Sequence, residues 1–260
     1  MRPDLELLRN LIDATAEIAP RPGAGKPPAA VRAAEAVVGP LSPSYRWWLT
    51  AYGEGTFARQ EVATVRPFHH IGGVGIGDGW SGGDRLPFLQ DGDGGDGYSF
   101  ALDAAGPGGE HPVVRRDPFL GDEEPFADSF AGFLTVRTAL LRGLREGPNP
   151  AVARLWRATP GVRLPDGGAV YGPHVQRVRN DAHGIPARAP HWVLIGDDGA
   201  GDGLFMRRHG RDRESVHRLA LADVAAGSFD GDVAAAGTHV TGDLLGWIDD
   251  NRAGPAPAND

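Results

Sequence analysis

Leu5, Leu8, Leu11, Ile12 and Ala16 recur at helical spacing and predict an amphipathic helix over residues 4–18. Prolines and glycines from 20 to 28 break it, and a second helix is expected from 28 to 38, stopped by Gly39-Pro40. Ser42 marks a third start as a cap, with Pro43 at the first helical position, where a missing N–H costs nothing. Tyr45, Trp48 and Leu49 then share a face. Beyond Gly53, short apolar runs alternate with glycine-rich turns. Phe88-Leu89 leads into Asp91-Gly92-Asp93-Gly94-Gly95-Asp96-Gly97, and Tyr98, Phe100 and Leu102 follow at alternate positions, the pattern of a β-hairpin. A short strand at Val113-Val114 and a closing helix from 126 to 144 complete the pattern.

The same order then returns. Asn149-Pro150 repeats the cap and first-turn proline, with Val152, Leu155 and Trp156 on the apolar face, and Val193-Leu194-Ile195 leads into a second Asp/Gly turn and Leu204-Phe205-Met206. Asp91, Gly95, Asp96, Gly97 and Tyr98 align without a gap on Asp197, Gly201, Asp202, Gly203 and Leu204 at an offset of 106. Pro43 to Pro150 gives 107, and Ser129-Phe130-Ala131-Gly132-Phe133-Leu134 matches Asp243-Leu244-Leu245-Gly246-Trp247-Ile248 at 114. The eight added residues are expected to lengthen a surface loop. This order and spacing read as a duplication: a first domain over 1–145, a second over 146–252, and a disordered tail over 253–260. Residues 21–27 read as a further disordered stretch.

Composition fits two domains. A chain of 260 residues exceeds the usual size of one core, and 41% hydrophobic residues suffice to build two. Zero cysteines exclude disulfides, thiolate zinc sites and a cysteine nucleophile. The N-terminus lacks the apolar run of a secretion signal, so a cytoplasmic location is expected. Only Lys26 among the 26 basic residues is a lysine, a bias in keeping with bacterial coding. The net charge of −8 disfavours nucleic acid as a partner and favours a basic one. The excess lies early, with 19 acids against 12 bases up to residue 140 and 15 against 14 beyond it.

Pro43-Ser44-Tyr45-Arg46-Trp47-Trp48-Leu49 through Gly53, with the hairpins over 88–100 and 193–205, resembles the SUKH superfamily, also called the Smi/Knr family. The resemblance covers residues 28–140 well and 150–250 more loosely, where the helix equivalent to 28–38 is not evident before Asn149. It implies an α+β fold of two tandem SUKH-like domains, each a mostly antiparallel sheet packed against helices. It also implies a non-catalytic role. Many bacterial members are immunity proteins that bind and neutralise a polymorphic toxin, often a nuclease, whereas fungal relatives are regulatory scaffolds.

The candidate chemistry is weighed residue by residue. Asp91, Asp93 and Asp96 stand in a glycine turn and could offer hard oxygen ligands to calcium, but the glycine and carboxylate positions depart from a calcium loop, and a tight hairpin turn accounts for them. His69-His70 would point to opposite strand faces, so they do not grip one ion. Gly79-Trp80-Ser81-Gly82-Gly83 lacks the strand-to-helix context of a nucleophile elbow. Gly72-Gly73-Val74-Gly75-Ile76-Gly77 has no helix start after it to bind a dinucleotide.

No catalytic residue, metal ligand or cofactor is therefore assigned, and the chain is read as a protein-binding module. Trp48, Trp156 and Trp247 are expected in cores, and Trp47 and Trp80 at the surface. Residues 91–128 carry ten acids against Arg115 and Arg116. The candidate partner-binding residues are Trp47, Trp80, Asp91, Asp93, Asp96, Asp117, Asp122, Glu123 and Glu124, facing a basic protein such as a toxin domain. No membrane partner is expected, and the oligomeric state is open.

Overall fold

In the computed structural model, which describes residues 1–64, 70–71, 74–75, 83–92 and 94–252, the N-terminal apolar stripe forms α1 (Leu5–Asp13). Asp4 caps it, its carboxylate accepting the N–H groups of Glu6 and Leu7. The helix ends well before residue 18, because the backbone turns at Thr15 and sends Ile18 into β1 (Ile18–Pro20), where it is buried opposite Phe57. α2 (Pro28–Val38) and α3 (Pro43–Ala51) follow as expected.

Residues 21–27, expected to be disordered, are fastened instead. Arg21 and Lys26 both pair with Glu54, and the Lys26 N–H donates to the Leu49 carbonyl. Glycine is required where this strap crosses the end of α3: a Cβ on Gly53, at φ +73°, would stand 1.8 Å from the Ala24 carbonyl oxygen.

β2 (Gly55–Phe57) and β3 (Gln60–Val62) extend β1 into a three-stranded antiparallel sheet. β4 (His70–Ile71) pairs with β5 (Val74–Gly75). β6 (Arg85–Gln90), β7 (Gly97–Ala101), β8 (Val113–Arg116) and β9 (Glu123–Ala127) form a four-stranded antiparallel meander, and the Ala63 N–H donates to the Phe88 carbonyl on its β6 edge. α4 (Phe130–Leu141) begins after Ser129, whose hydroxyl accepts the Gly132 N–H. Phe126 and Ala127, expected in this helix, belong to β9, because Ala127 pairs with Val113.

The chain divides inside α4 into two units, Met1–Leu134 and Thr135–Asp260, upstream of the 145/146 junction expected from sequence. Both are mixed α+β, with antiparallel sheets. The second unit contains α5 (Pro150–Ala158), β10 (Val162–Arg163), β11 (Ala169–Val170), α6 (Pro173–Ala182) and α7 (Ile185–Arg188). β12 (Trp192–Asp197), β13 (Asp202–Arg207), β14 (Val216–Ala220), α8 (Leu221–Ala226), α9 (Val233–Ala236), β15 (Thr238–Thr241) and α10 (Leu244–Arg252) complete it. Its six strands form one sheet in sequence order. Among the described residues, no helix is long and apolar enough to cross a membrane.

Strand register aligns the two units more finely than sequence does. Gly55 faces Val62 as Val162 faces Val170, and Leu89 faces Tyr98 as Gly196 faces Leu204. Thus the offset of 107 seen at the helix prolines holds at β2 and β6, is 108 at β3, and drops to 106 across the Asp/Gly turn. Asp91 therefore corresponds to Asp198, not Asp197: each N–H closes its turn on the carbonyl of the later aspartate, Asp96 or Asp202, at 2.9 and 3.0 Å. Bulges also match, between Pro87 and Leu89 and between Leu194 and Gly196, and again at Val113/Val114 and Val216/His217. The link between the third and fourth meander strands, six residues (117–122) in the first unit, becomes residues 221–237 in the second and holds α8 and α9.

Two cores of different chemistry fill these frames. In the first unit Tyr45, Phe88, Phe100, Phe130 and Phe133 pack as an aromatic cluster, with Phe88 stacked on Phe100 at 4.4 Å. The matching positions in the second are largely aliphatic, including Val152, Ile195, Met206 and Leu244. Trp48 and Trp156 are fully buried as expected, but Trp247 is only half-buried where its counterpart Phe133 is enclosed. α10, which carries Trp247, packs on α5.

A buried carboxylate fixes α3 on its sheet. Ser42, expected to cap α3, instead accepts the His111 N–H through its hydroxyl. The cap is Glu110: its two oxygens accept the Ser44 N–H at 2.9 Å and the Ser44 hydroxyl at 2.8 Å. With two oxygens Glu110 holds both the Ser44 N–H and the Ser44 hydroxyl, while the Ser42 hydroxyl is turned to His111. In the second unit the expected cap holds, with Asn149 accepting the Val152 N–H.

Burial pushes the Glu110 carboxyl above the ordinary carboxylate range, against the opposing pull of its Ser44 hydrogen bonds. A raised folded pKa means that its contribution is full below the unfolded value of about 4.5 and is lost as pH rises through the folded value. Glu110→Gln, always neutral, is expected to flatten the pH dependence of urea unfolding between pH 4 and 7, and an unchanged slope contradicts this. Glu110→Ala is expected to cost about 1–3 kcal/mol by orphaning the Ser44 N–H.

His174 behaves oppositely. Burial, then the nearby Arg142, lower its pKa to about 4, so stability present above the unfolded 6.5 is lost as pH falls through 4. The loss is on the order of 2–3 kcal/mol. NMR titration of the imidazole is expected to show a neutral ring at pH 5.5, and a midpoint near 6.5 contradicts the assignment.

Candidate protein interface

The β8–β9 connection brings the acidic candidates to one loop. The Asp117 N–H donates to the Asp122 carbonyl at 2.9 Å and the Gly121 N–H to the Asp117 carbonyl at 3.0 Å, with Gly121 at φ +74°. The Asp117 carboxylate then accepts the N–H groups of Phe119 and Leu120 at 2.7 and 2.8 Å. These bonds, Leu120 first and Phe119 second, hold that carboxyl below its usual range. The result is a loop closed by its own backbone that displays Phe119 and Leu120, 90% and 76% exposed.

Such exposure of two adjacent large apolar side chains is costly unless something covers them. Acids surround the pair, but they are not equally available. Glu124 pairs with Arg115, which also reaches Asp96 at 3.5 Å, and Glu123 pairs with Arg85 at 3.0 Å. Asp122 is exposed beside the apolar tip. β9 is the edge of the meander, where Glu123, Glu124 and Pro125 discourage strand addition. What this end of the sheet presents is therefore the side chains of the loop tip more than an open strand edge.

The other candidates lie apart from this loop. Asp91 sits in the β6–β7 turn, 3.4 Å from the Tyr98 hydroxyl. Trp47 stands on α3, where the Tyr52 ring meets it edge-on at 5.5 Å and the Arg9 guanidinium lies 5.8 Å from its centre, so it is partly covered. Trp80, Asp93, His69 and most of both glycine motifs lie outside the described residues. Among the described residues, no three His, Asp or Glu side chains gather closely enough to hold a metal ion.

Phe119 and Leu120 escaped the sequence reading, although a signal was present: Asp117-Pro118-Phe119-Leu120-Gly121-Asp122 places two large apolar residues inside a proline and glycine turn, where periodicity assigns them no core. No family model, curated protein or solved structure matches the chain.

Asp117→Ala is expected to speed amide exchange at Phe119 and Leu120 relative to the wild type, with little change in global unfolding. The same acceleration is expected in the wild type once pH falls through the lowered Asp117 pKa, since its hold is present above the unfolded value and lost below the folded one. Equal exchange in both proteins would show that the loop does not depend on this carboxylate.

Proposed function

We propose that the chain is a non-catalytic protein-binding module, an immunity protein of bacterial type that neutralises a cognate toxin domain by direct binding, built from two tandem SUKH-like domains. The observation that carries the reading is the display of Phe119 and Leu120 on a closed loop beside Asp122, Glu123 and Glu124. Large apolar anchors ringed by charge are the arrangement that supplies affinity at the centre of an interface and selects partners at its rim. The matched strand registers and bulges support the tandem duplication.

On this reading the loop inserts its two apolar side chains into a pocket of the toxin, and the surrounding carboxylates meet the basic surface with which a nuclease holds its substrate. Occupying that surface blocks the substrate and needs no bond-making step.

The test is capture from the native host with wild-type bait and with Phe119→Ser/Leu120→Ser, each washed at low and high salt. A single basic toxin-bearing protein, lost with the variant, is expected. Each truncated anchor should cost roughly 2 kcal/mol, about thirtyfold in affinity. Recovery of the same several cellular proteins by both baits contradicts the reading and favours a regulatory scaffold.

A further inference from the structure

The second unit contains a cleft of about 920 Å³ walled by the α4–α5 link, α6 and the β13–β14 loop. That volume lies within the range of small-molecule sites. Its charge opposes that of the protein as a whole. Arg142, Arg145, Arg177, Arg208 and Arg213 line it, against two carboxylates, Glu146 and Asp181. Both carboxylates already have cations: Glu146 pairs with Arg157 at 2.7 Å, and Asp181 stands 3.8 Å from Arg177.

The walls are built firmly. α4 ends in a turn in which the Leu144 N–H donates back to the Ala139 carbonyl and Gly143 takes φ +71°, which sets Arg142 and Arg145 on either side of a fixed bend. Arg142 reaches the His174 carbonyl and Arg177 the Arg142 carbonyl, tying the link to α6. Asn180 holds α6 to β12, its amide both donating to and accepting from the Leu194 backbone. Half-buried Arg208 donates through Nε to the Trp192 carbonyl at 2.9 Å.

One polar group in the cleft wall is unused. Gln176 is 2% exposed, and its Oε1 is buried without a hydrogen-bond partner, unlike its neighbour Asn180. A buried acceptor of this kind calls for a donor, which neither the arginines' natural counter-ion nor an apolar ligand supplies.

We infer that this cleft binds a phosphate-bearing small molecule of nucleotide size, the guanidiniums holding its phosphates and Gln176 accepting an N–H or O–H from its base or sugar. Planar guanidiniums match phosphate oxygens two at a time, and several around one cleft suit a polyphosphate better than a single anion. A lone phosphate would leave Gln176 unpaired and most of the volume empty.

Calorimetry on the full chain at low salt tests this with ATP, inorganic pyrophosphate and a hexaglutamate peptide. ATP is expected to bind, at least tenfold more tightly to the wild type than to Arg145→Gln/Arg177→Gln/Arg213→Gln, whose three changed side chains are exposed and leave the cores untouched. Gln176→Leu is expected to weaken ATP severalfold while leaving pyrophosphate unchanged. Absence of ATP binding, equal binding by the triple variant, pyrophosphate as tight as ATP, or preference for the peptide would each overturn the inference. Should Gln176→Leu fail to fold, the triple variant and the ligand comparison decide.

Discussion

The first unit is organised around a carboxylate that water does not reach. Glu110 is 3% exposed, and both of its oxygens are spent on Ser44 at the start of α3. The Ser44 hydroxyl in turn accepts the Ala131 N–H in the first turn of α4, so one buried acid joins the β7–β8 connection to the N-termini of two helices. Those helices carry Tyr45 and Trp48 on one side and Phe130 and Phe133 on the other into the aromatic cluster over β6 and β7. Once the helices and meander are locked, the β8–β9 loop has a rigid base, and what it displays is set by its own backbone bonds.

The second unit meets the same demands with neutral groups. Asn149 both caps α5 and reaches the Arg207 carbonyl on β13, doing in one side chain what Ser42, Ser44 and Glu110 divide among three. Where the meander crosses β11, a Cβ on Gly196 would stand 2.2 Å from the Ala169 carbonyl, so that bulge needs glycine. The two units spend their differences in different places. The first closes its last meander link tightly and exposes two apolar residues there, whereas the second fills that link with α8 and α9 and gathers arginines in a cleft elsewhere.

Much of this frame was legible. α2, α3, α5, α10 and both hairpins announce themselves through first-turn prolines, apolar periodicity and Asp/Gly turns. What escaped has physical reasons. β10 and β11 are two residues each, too short for an alternating pattern to form. α6 buries polar side chains, His174, Gln176 and Asn180, so its inner face carries no apolar stripe. The ungapped alignment of the turns misled by one residue because the second turn is one residue shorter and Asp197 stands next to Asp198, a difference that only backbone pairing reveals. Acid counting pointed to the β8–β9 loop but ranked Glu123 and Glu124 with Asp122, since pairing to Arg85 and Arg115 on other strands is invisible in one dimension.

The central claim is that Phe119 meets a partner protein. A photo-reactive phenylalanine analogue placed at position 119, and at exposed Val178 in the second unit as a comparison, can be irradiated in living host cells. The account predicts one discrete crosslinked protein from position 119, carrying a basic toxin-like domain, and none of that size from position 178. Crosslinking from 178 alone, or an identical set of products from both positions, would contradict it.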